Sequence, residues 1–267
     1  MPGASLLEVC REVEAEIVSR GGQLAFPAQT SRNEIAAHYC PGPGDGTVYE
    51  RGDLAKLDVG VHVDGWVVDT AVTVSVGGEP SALVDAVQAA LAAAIAAAGP
   101  EVPVSRLAAA IARTVRERGY APVRNLCGHG VGRWRVHCPP PIPNLPDGTR
   151  GSLPARGVVA VEPFATEGRG VVVESGEPQV FQLRPRGGSA VPGDPAVVEA
   201  IRALRGLPFS RRQLGHLGSD RIERTLEELS RTKRLISYPP LVEPRGQRVA
   251  QAEHSIFVSE AGVEILT

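Results

Sequence analysis

Two spacings of apolar side chains recur along this chain, one typical of helices and the other of strands. Near-helical spacing predicts α-helices over residues 5–20, 81–98, 105–118, 195–205 and 218–235. Strand-like runs, bounded by Gly, Pro or Asp, are found at 55–63, 66–76, 157–164, 171–174, 248–258 and 263–266. Ser81 and Ser105 stand where two of the helices begin and are expected to be N-caps. The mixture of elements predicts an α/β protein.

The runs 55–63 and 66–76 form a predicted β-hairpin. Asp64-Gly65 separates them, and Asp-Gly is the preferred dipeptide of a two-residue type I′ turn. A second turn is predicted at Ala261-Gly262, between the last two strand-like runs. The turn chemistry explains Asp64, so this aspartate is excluded from any site.

Two other aspartates of the hairpin need a different explanation, because an unpaired carboxylate inside a sheet is strongly unfavourable. The turn places Asp58 opposite Ala71 and Asp69 opposite Gly60, all on one face of the hairpin. The two carboxylates are then diagonal neighbours, within roughly 8 Å at the backbone. Like charges this close repel unless a cation lies between them. Gly60, which lacks a side chain, is expected to leave room for that cation.

Further acids and histidines occur in similar strand-like surroundings: His129, His137, Glu162 and Glu253. Side chains alternate along a strand, so only one of Glu253 and His254 can face a site, and a carboxylate suits hard divalent ions better. The four acids carry four negative charges, which two divalent cations would neutralise. His62 lies on the face of the aspartates near the turn, and periodicity alone leaves open whether it is a ligand.

Composition excludes several classes of function. With 28 Lys+Arg against 30 Asp+Glu, the formal charge of −2 gives no footprint for nucleic acid or an anionic membrane. The arginines of residues 195–235 are expected to form solvated helix faces. The chain begins without the features of a secretory signal, and its longest apolar run, 89–98, is too short to cross a bilayer. The four cysteines lack CxxC spacing, so reduced thiols and a cytoplasmic location are expected.

Taken in order, these residues and the motifs around them resemble the methionine aminopeptidases. The resemblance is carried by AFPAQTSRNEIAAHY (25–39), KLDVGVHVDGWVVDTAVTV (56–74), NLCGHGVGRWRVH (125–137), VEPFAT (161–166), LPFSRR (207–212) and the region 238–255. It implies five metal ligands, with Asp58 on one ion, His129 and Glu162 on the other, and Asp69 and Glu253 bridging both.

The resemblance also implies a fold, the α/β (α+β) pita-bread architecture: a pseudo-symmetric antiparallel sheet flanked by helices. The long separation of Glu162 from Glu253 resembles the type 2 subfamily, found in archaea and eukaryotes, so a single catalytic domain over 1–267 with a helical insertion at 190–236 is expected. Relatives usually have another helix before the position of Met1, so the chain is expected to be shortened there, naturally or by a misassigned start.

The activity implied is removal of N-terminal methionine from nascent proteins when the second residue is small, by attack of a hydroxide bound to two metal ions. Co, Mn, Fe and Zn all suit carboxylate and imidazole ligands. Glu162 is the expected general acid/base, and His38 and His137 match two histidines that contact substrate. His38 alone would also fit a surface loop. Phe26 and Tyr238 are candidates for the methionine pocket, and core packing explains either equally well.

The expected partners are N-terminal methionine of peptides and nascent proteins, with transient ribosome contact and no nucleic acid or membrane, and the expected state is a monomer. Three alternatives stay open at this point. They are a pita-bread hydrolase of the proline dipeptidase type, a non-catalytic interaction protein on the same scaffold, and an unrelated single-metal protein. Cys40, Cys127 and Cys138 stand beside the motifs and are expected to point away from the ligands.

Overall fold

The structure, a computed structural model, describes residues 1–184 and 191–267. The helices are α1 (Leu6–Ser19), α2 (Ala82–Ala97), α3 (Val104–Glu117), α4 (Pro195–Ala203), α5 (Arg211–Leu214) and α6 (Ser219–Arg231), with a 3-10 turn at Gly215–Leu217. The strands are β1 (Gln23–Leu24), β2 (Gln29–Arg32), β3 (Ile35–Ala37), β4 (Leu54–Val63), β5 (Trp66–Ser75), β6 (Ala121–Pro122), β7 (Cys127–Gly132), β8 (Arg135–Pro143), β9 (Gly157–Val161), β10 (Phe164–Thr166), β11 (Val173–Glu174), β12 (Val180–Leu183), β13 (Phe209–Ser210), β14 (Leu235–Tyr238), β15 (Leu241–Val242), β16 (Val249–Gln251), β17 (Glu253–Ser259) and β18 (Gly262–Ile265).

A nine-stranded antiparallel sheet in the order β1-β4-β5-β17-β9-β7-β8 forms the centre, with β2 beside β4 and β18 beside β17. Its β4–β5 hairpin has the predicted register, with Asp58 opposite Ala71 and Gly60 opposite Asp69. Asp64 (φ 51°) and Gly65 (φ 84°) both have positive φ, as a type I′ turn requires. The predicted mixed α/β architecture is confirmed.

Helices α2 and α3 lie together against the central sheet and enclose the main core. Leu83 and Val87 of α2 and Leu107 of α3 are fully buried with the sheet residues Val159 and Ile256. The helical periodicity of both segments is therefore explained by burial of one stripe of each helix.

The predicted helix starts are partly wrong. Ser81 holds the N-cap position of α2, but its side chain makes no capping hydrogen bond. Ser105 lies inside α3, whose N-cap is Pro103. Proline fits near a helix start because its missing N–H would have no partner there. None of the helices within residues 1–184 and 191–267 combines the length and apolarity needed to cross a membrane.

Two strand-like runs that the sequence predicts as continuous are each broken in two. The run 157–164 is interrupted between β9 and β10, where Pro163 has no N–H for a ladder hydrogen bond. The run 248–258 is interrupted at Ala252, between β16 and β17. The outer pieces, β10 and β16, pair with each other in a small sheet that also contains β6. The final turn lies at Glu260-Ala261, one residue earlier than predicted, because Ser259 pairs with Gly262.

The predicted insertion at 190–236 contains α4, α5 and α6, with position 190 outside the described residues. These helices bury a second cluster of apolar side chains with the sheet β13-β12-β14, including Val197, Ile201, Ile222 and Phe209. This cluster contains none of the residues of the main core. The division into one catalytic domain with an inserted subdomain remains a prediction.

Candidate metal centre

Five acidic or imidazole side chains lie on neighbouring strands of the central sheet. In sheet order they are Asp58 on β4, Asp69 on β5, Glu253 on β17, Glu162 directly after β9, and His129 on β7. The chain therefore brings together residues that are far apart in sequence, because hydrogen-bonded strands place them side by side.

Strand register aims these side chains at one face. Ala71 pairs with Asp58 on one side and with Glu253 on the other, so the two acids share a row across three strands. Asp69 precedes Ala71 by two positions and points the same way. His254 points to the opposite face, where its Nδ1 lies 3.2 Å from Thr267 Oγ1. The predicted choice of Glu253 over His254 as the residue facing the site agrees with this geometry.

Side-chain hydroxyls fix the backbone around two of the acids. Ser255 Oγ accepts a hydrogen bond from the Asp69 N–H (2.8 Å) and donates one to the Asp69 carbonyl (2.9 Å). Thr70 Oγ1 donates to the Glu253 carbonyl at 2.9 Å. These bonds tie β5 to β17 where their pairing is short, so the carboxylates have little freedom to move apart.

The ligand atoms converge closely enough to hold an ion. Atoms of Asp69, His129 and Glu253 all lie within 4.8 Å of one another. His129 Nε2 is 3.7 Å from Asp69 Oδ2 and 3.5 Å from Glu162 Oε1. Asp58 Oδ1, Asp69 Oδ1 and Glu253 Oε1 are buried without a hydrogen-bond partner among residues 1–184 and 191–267. Because an unpaired buried carboxylate is costly and oxygen and imidazole ligands suit divalent cations, the donor set fits a metal centre.

Burial determines the charges at this site. It raises the pKa of Asp58 to about 7. Burial, followed by repulsion from the neighbouring carboxylates, raises the pKa of Asp69, Glu162 and Glu253 well above the ordinary value. Without cations the protonated forms of these acids are therefore favoured relative to ordinary carboxyl groups, and bound cations would favour the charged forms.

His129 is held in the form that binds metals. Burial lowers its pKa to about 3, so the ring is neutral. Its Nδ1 lies 3.1 Å from the Gly130 carbonyl, which can only accept, so the proton resides on Nδ1. The lone pair of Nε2 then faces the carboxylates of Asp69 and Glu162.

The glycines that flank His129 are required by the close approach of neighbouring strands. A Cβ atom on Gly128 would lie 2.4 Å from the Ala160 carbonyl oxygen. A Cβ atom on Gly130 would lie 2.2 Å from the Pro139 carbonyl oxygen. Any larger residue would push β7 away from its neighbours and displace the imidazole with it.

A cavity of about 270 Å³ opens above the acids, and it is lined by all nine residues that the sequence singled out. His38 follows β3 with φ 64°, and its ring is 5.5 Å from that of Tyr238. The His137 ring is 4.4 Å from that of His129. Burial lowers the pKa of His38 to about 4 and also lowers that of His137. Both rings are therefore neutral near neutral pH, while Phe26 supplies an aromatic wall.

Two expectations about the surroundings of the site are corrected, for Gly60 and Cys127, and the structure shows the contacts of His62, whose role the sequence left open. The space above Gly60 is filled by the ring of Phe26, which lies 2.2 Å from where a Cβ would be, so it does not receive a cation. His62 packs its ring 4.8 Å from Trp134 and accepts a hydrogen bond from the Gly65 N–H. Cys127 lines the cavity instead of pointing away, because it lies two positions before His129 on β7 and alternation places residues two apart on the same face.

Sequence reasoning missed two polar residues of the cavity wall. Gln29 pairs with Asp58 across β2 and β4, and its Oε1 is buried with no hydrogen-bond partner in the described part of the chain. Asn125 exchanges two hydrogen bonds with the backbone of Val172 and so anchors the start of β7. Both lie within the quoted motifs, and a buried polar residue beside a predicted ligand was the signal that could have identified them.

Comparison with known proteins gives concordant results. The model of metallopeptidase family M24 matches residues 1–225. The methionine aminopeptidase of Pyrococcus horikoshii is 40% identical over 269 residues, covering 100% of this chain and 91% of the relative. The crystal structure of methionine aminopeptidase from Thermotoga maritima has a TM-score of 0.70 at 25% identity, covering 99% of this chain and 86% of that chain. A thermophilic Arx1 shares the fold with a TM-score of 0.84 at 13% identity, covering 99% and 84%.

Proposed function

The chain belongs to metallopeptidase family M24 and is a metalloaminopeptidase, and we propose that it removes N-terminal methionine from peptides and nascent proteins when the second residue is small. The observation that carries this proposal is the cluster of four carboxylates and one imidazole at the closed end of a cavity with aromatic walls. A free α-ammonium group is the part of a peptide that such an acidic end attracts, which limits cleavage to the first residue.

The proposed cofactor is a pair of divalent metal ions, with Co, Mn, Fe and Zn all compatible with the ligands. Asp58 would hold one ion, His129 and Glu162 the other, and Asp69 and Glu253 would bridge them. The unpartnered carboxylate oxygens of Asp58, Asp69 and Glu253 support this assignment. When bound, such ions lower the pKa of a coordinated water and polarise the scissile carbonyl.

Protein groups would then move the protons and hold the substrate. Glu162, whose pKa is raised by burial, is the proposed general acid/base that transfers a proton towards the departing amine. The neutral rings of His38 and His137 can each donate an N–H to the substrate carbonyl and stabilise the charge that develops on its oxygen. Both rings line the same cavity as the acids, so they can reach a substrate held there.

Methionine selectivity is proposed to come from Phe26 and Tyr238. Phe26 is 5% exposed and Tyr238 lies edge-on to His38 across the cavity. Aromatic rings make favourable contacts with a thioether sulfur. The small cavity volume of about 270 Å³ favours a small second residue. Nascent methionyl chains arise in the cytoplasm, so we expect the enzyme there, as a monomer in transient contact with ribosomes.

A peptide panel tests the proposal against its alternatives. We expect metal-reconstituted protein to release methionine from Met-Ala-Ser and to release little alanine from Ala-Ala-Ser. Preferential cleavage of Ala-Pro would favour the proline dipeptidase type, and cleavage of none of the three peptides would favour a non-catalytic scaffold. Two ions per chain by elemental analysis are expected, and a single ion per chain in the active protein would contradict the proposed pair of metal ions.

A further inference from the structure

A second, larger cleft of about 730 Å³ adjoins the metal cavity. It lies between the start of β8 and the insertion, where α4 ends and β12 and β14 run side by side. Val136, His137 and Tyr238 line both spaces, so the cleft continues directly from the metal cavity. The proposed function gives this cleft no role.

The cleft has an unusual charge for a chain whose formal net charge is −2. Its described lining contains no acidic residue and five arginines: Arg135, Arg184, Arg202, Arg205 and Arg234. None of the five forms an ion pair within the described part of the chain, whereas seven other arginines do: Arg20, Arg32, Arg211, Arg212, Arg221, Arg231 and Arg248. Uncompensated positive charges gathered around one concave surface create a local field that attracts anions.

Two of the arginines are held in place. Arg234 is only 5% exposed, and its Nε is buried with no hydrogen-bond partner among the described residues. The Arg205 guanidinium lies 4.3 Å from the centre of the Trp134 ring, in cation–π contact. A guanidinium fixed by stacking keeps its N–H donors available and loses less entropy when it binds a carboxylate.

The path of a substrate explains why this cleft would face a peptide. A peptide whose N-terminus reaches the acids must leave the metal cavity through an opening, and the cleft begins where that cavity ends, at His137 and Tyr238. Each extended residue advances the chain by roughly 3.3–3.6 Å. Residues three to five of the substrate would therefore pass between the arginines.

We propose that the cleft binds the substrate segment that follows the small second residue and favours peptides with Asp or Glu at positions three to five. This inference rests on the proposed function. Carboxylates are the peptide side chains that guanidinium groups recognise, by paired N–H···O bonds. The direct connection to the metal cavity favours a peptide over nucleic acid as the occupant.

The test compares two isosteric peptides, Met-Ala-Glu-Glu-Glu-amide and Met-Ala-Gln-Gln-Gln-amide, whose amidated ends remove the terminal carboxylate. We expect kcat/KM of the acidic peptide to exceed that of the neutral one by about fivefold at low salt, from a few exposed charge pairs. The ratio should approach one in about 1 M salt, where screening acts within about 3 Å. The double variant Arg202→Glu/Arg205→Glu should lower the ratio of the two kcat/KM values below one. The matched control Arg113→Glu/Arg116→Glu changes two arginines on the exposed face of α3 and should leave the ratio unchanged.

The outcomes separate the two proposals. Cleavage of both peptides with equal kcat/KM would overturn the cleft assignment and leave the peptidase function intact. If neither peptide is cleaved, the peptidase function fails, and the Kd ratio of the same peptides with a fluorescent label still measures the preference of the cleft. The proposal would also be overturned if Arg202→Glu/Arg205→Glu kept the wild-type ratio of the two kcat/KM values but no longer bound a short single-stranded RNA that the wild type binds. That result would assign the cleft to nucleic acid.

Discussion

Replacing Gly60 by alanine is expected to lower the free energy of unfolding. The sign of this change tests whether the Phe26 ring fills the space above Gly60. Gly60 lies within β4 and is not among the residues with positive φ. At an ordinary strand position, alanine stabilises by about 0.5–1 kcal/mol relative to glycine, because it restricts the unfolded chain. A Cβ atom here, however, would lie 2.2 Å from Cε1, 2.5 Å from Cδ1 and 2.9 Å from Cζ of Phe26.

The expected magnitude follows from these contacts. Carbon atoms normally approach to about 3.5–4.0 Å, so the Phe26 ring would have to move by about 1 Å or more. The ring is 5% exposed and is packed among Ala25, Val67, Val136 and Leu207. Overpacking of this kind costs about 1–3 kcal/mol, which exceeds the gain from the strand preference of alanine. Because Phe26 lines the cavity, the displaced ring should also raise KM for Met-Ala-Ser.

A double-mutant cycle measures the clash directly. Urea unfolding and steady-state kinetics would be recorded for the wild type, Gly60→Ala, Phe26→Leu and the double variant. Leucine lacks the ring atoms that make two of the three close contacts, so the double variant should be more stable than additivity predicts by about 1 kcal/mol. Gly60→Ala with wild-type or higher stability, or strictly additive effects, would refute this account of the pocket wall.

Three further predictions concern the metal centre. Asp69→Ala and Glu253→Ala each remove a proposed bridging ligand and should reduce turnover to well below about a tenth of the wild-type value, with fewer ions per chain by elemental analysis. His137→Ala should lower kcat by about 100-fold while metal content persists, and loss of the metal would show that His137 is a ligand. Burial raises the pKa of Asp58 to about 7, and burial together with repulsion between carboxylates raises those of Asp69, Glu162 and Glu253 well above their ordinary values, so metal binding must displace protons. Metal affinity should therefore rise between about pH 6 and pH 8, and calorimetry in buffers of different ionisation enthalpy would contradict this if no protons were released.

The hairpin could be predicted in detail because local chemistry determines it. Asp64-Gly65 specifies a two-residue turn, and the length of the turn determines which residues of β4 and β5 lie opposite each other. The register of Asp58 and Asp69 followed without further information. The grouping of all nine site residues around one cavity rested on the family resemblance, because strand periodicity cannot show which distant strands become neighbours.

The incorrect predictions have different physical causes. Ser105 has a good capping side chain, yet α3 begins one residue earlier, at Val104, with Pro103 in the N-cap position. Gly60 lacks a side chain because Phe26 occupies the space, and no local pattern connects the two residues. Cys127 lines the cavity because it lies two positions before His129 on β7, so alternation places both side chains on one face.

The breaks in the strands determine which strands surround Glu162 and Glu253. Val161, the last residue of β9, pairs with His254, so Glu162 and Glu253 stand at the level where the chain leaves and re-enters the central sheet. Backbone groups at this break still have hydrogen-bond partners. The Ala252 N–H donates to the Pro163 carbonyl, and the Phe164 N–H donates to Asn144 Oδ1. Beyond it, β10 and β16 stay paired in the same register, Phe164 with Gln251. What changes at the break is the neighbouring strands: β9 and β17 lie between β7 and β5, which carry His129 and Asp69, whereas β10 lies beside β6 in the small sheet. The acids therefore meet on the central-sheet side of the break, where all four of these strands are adjacent.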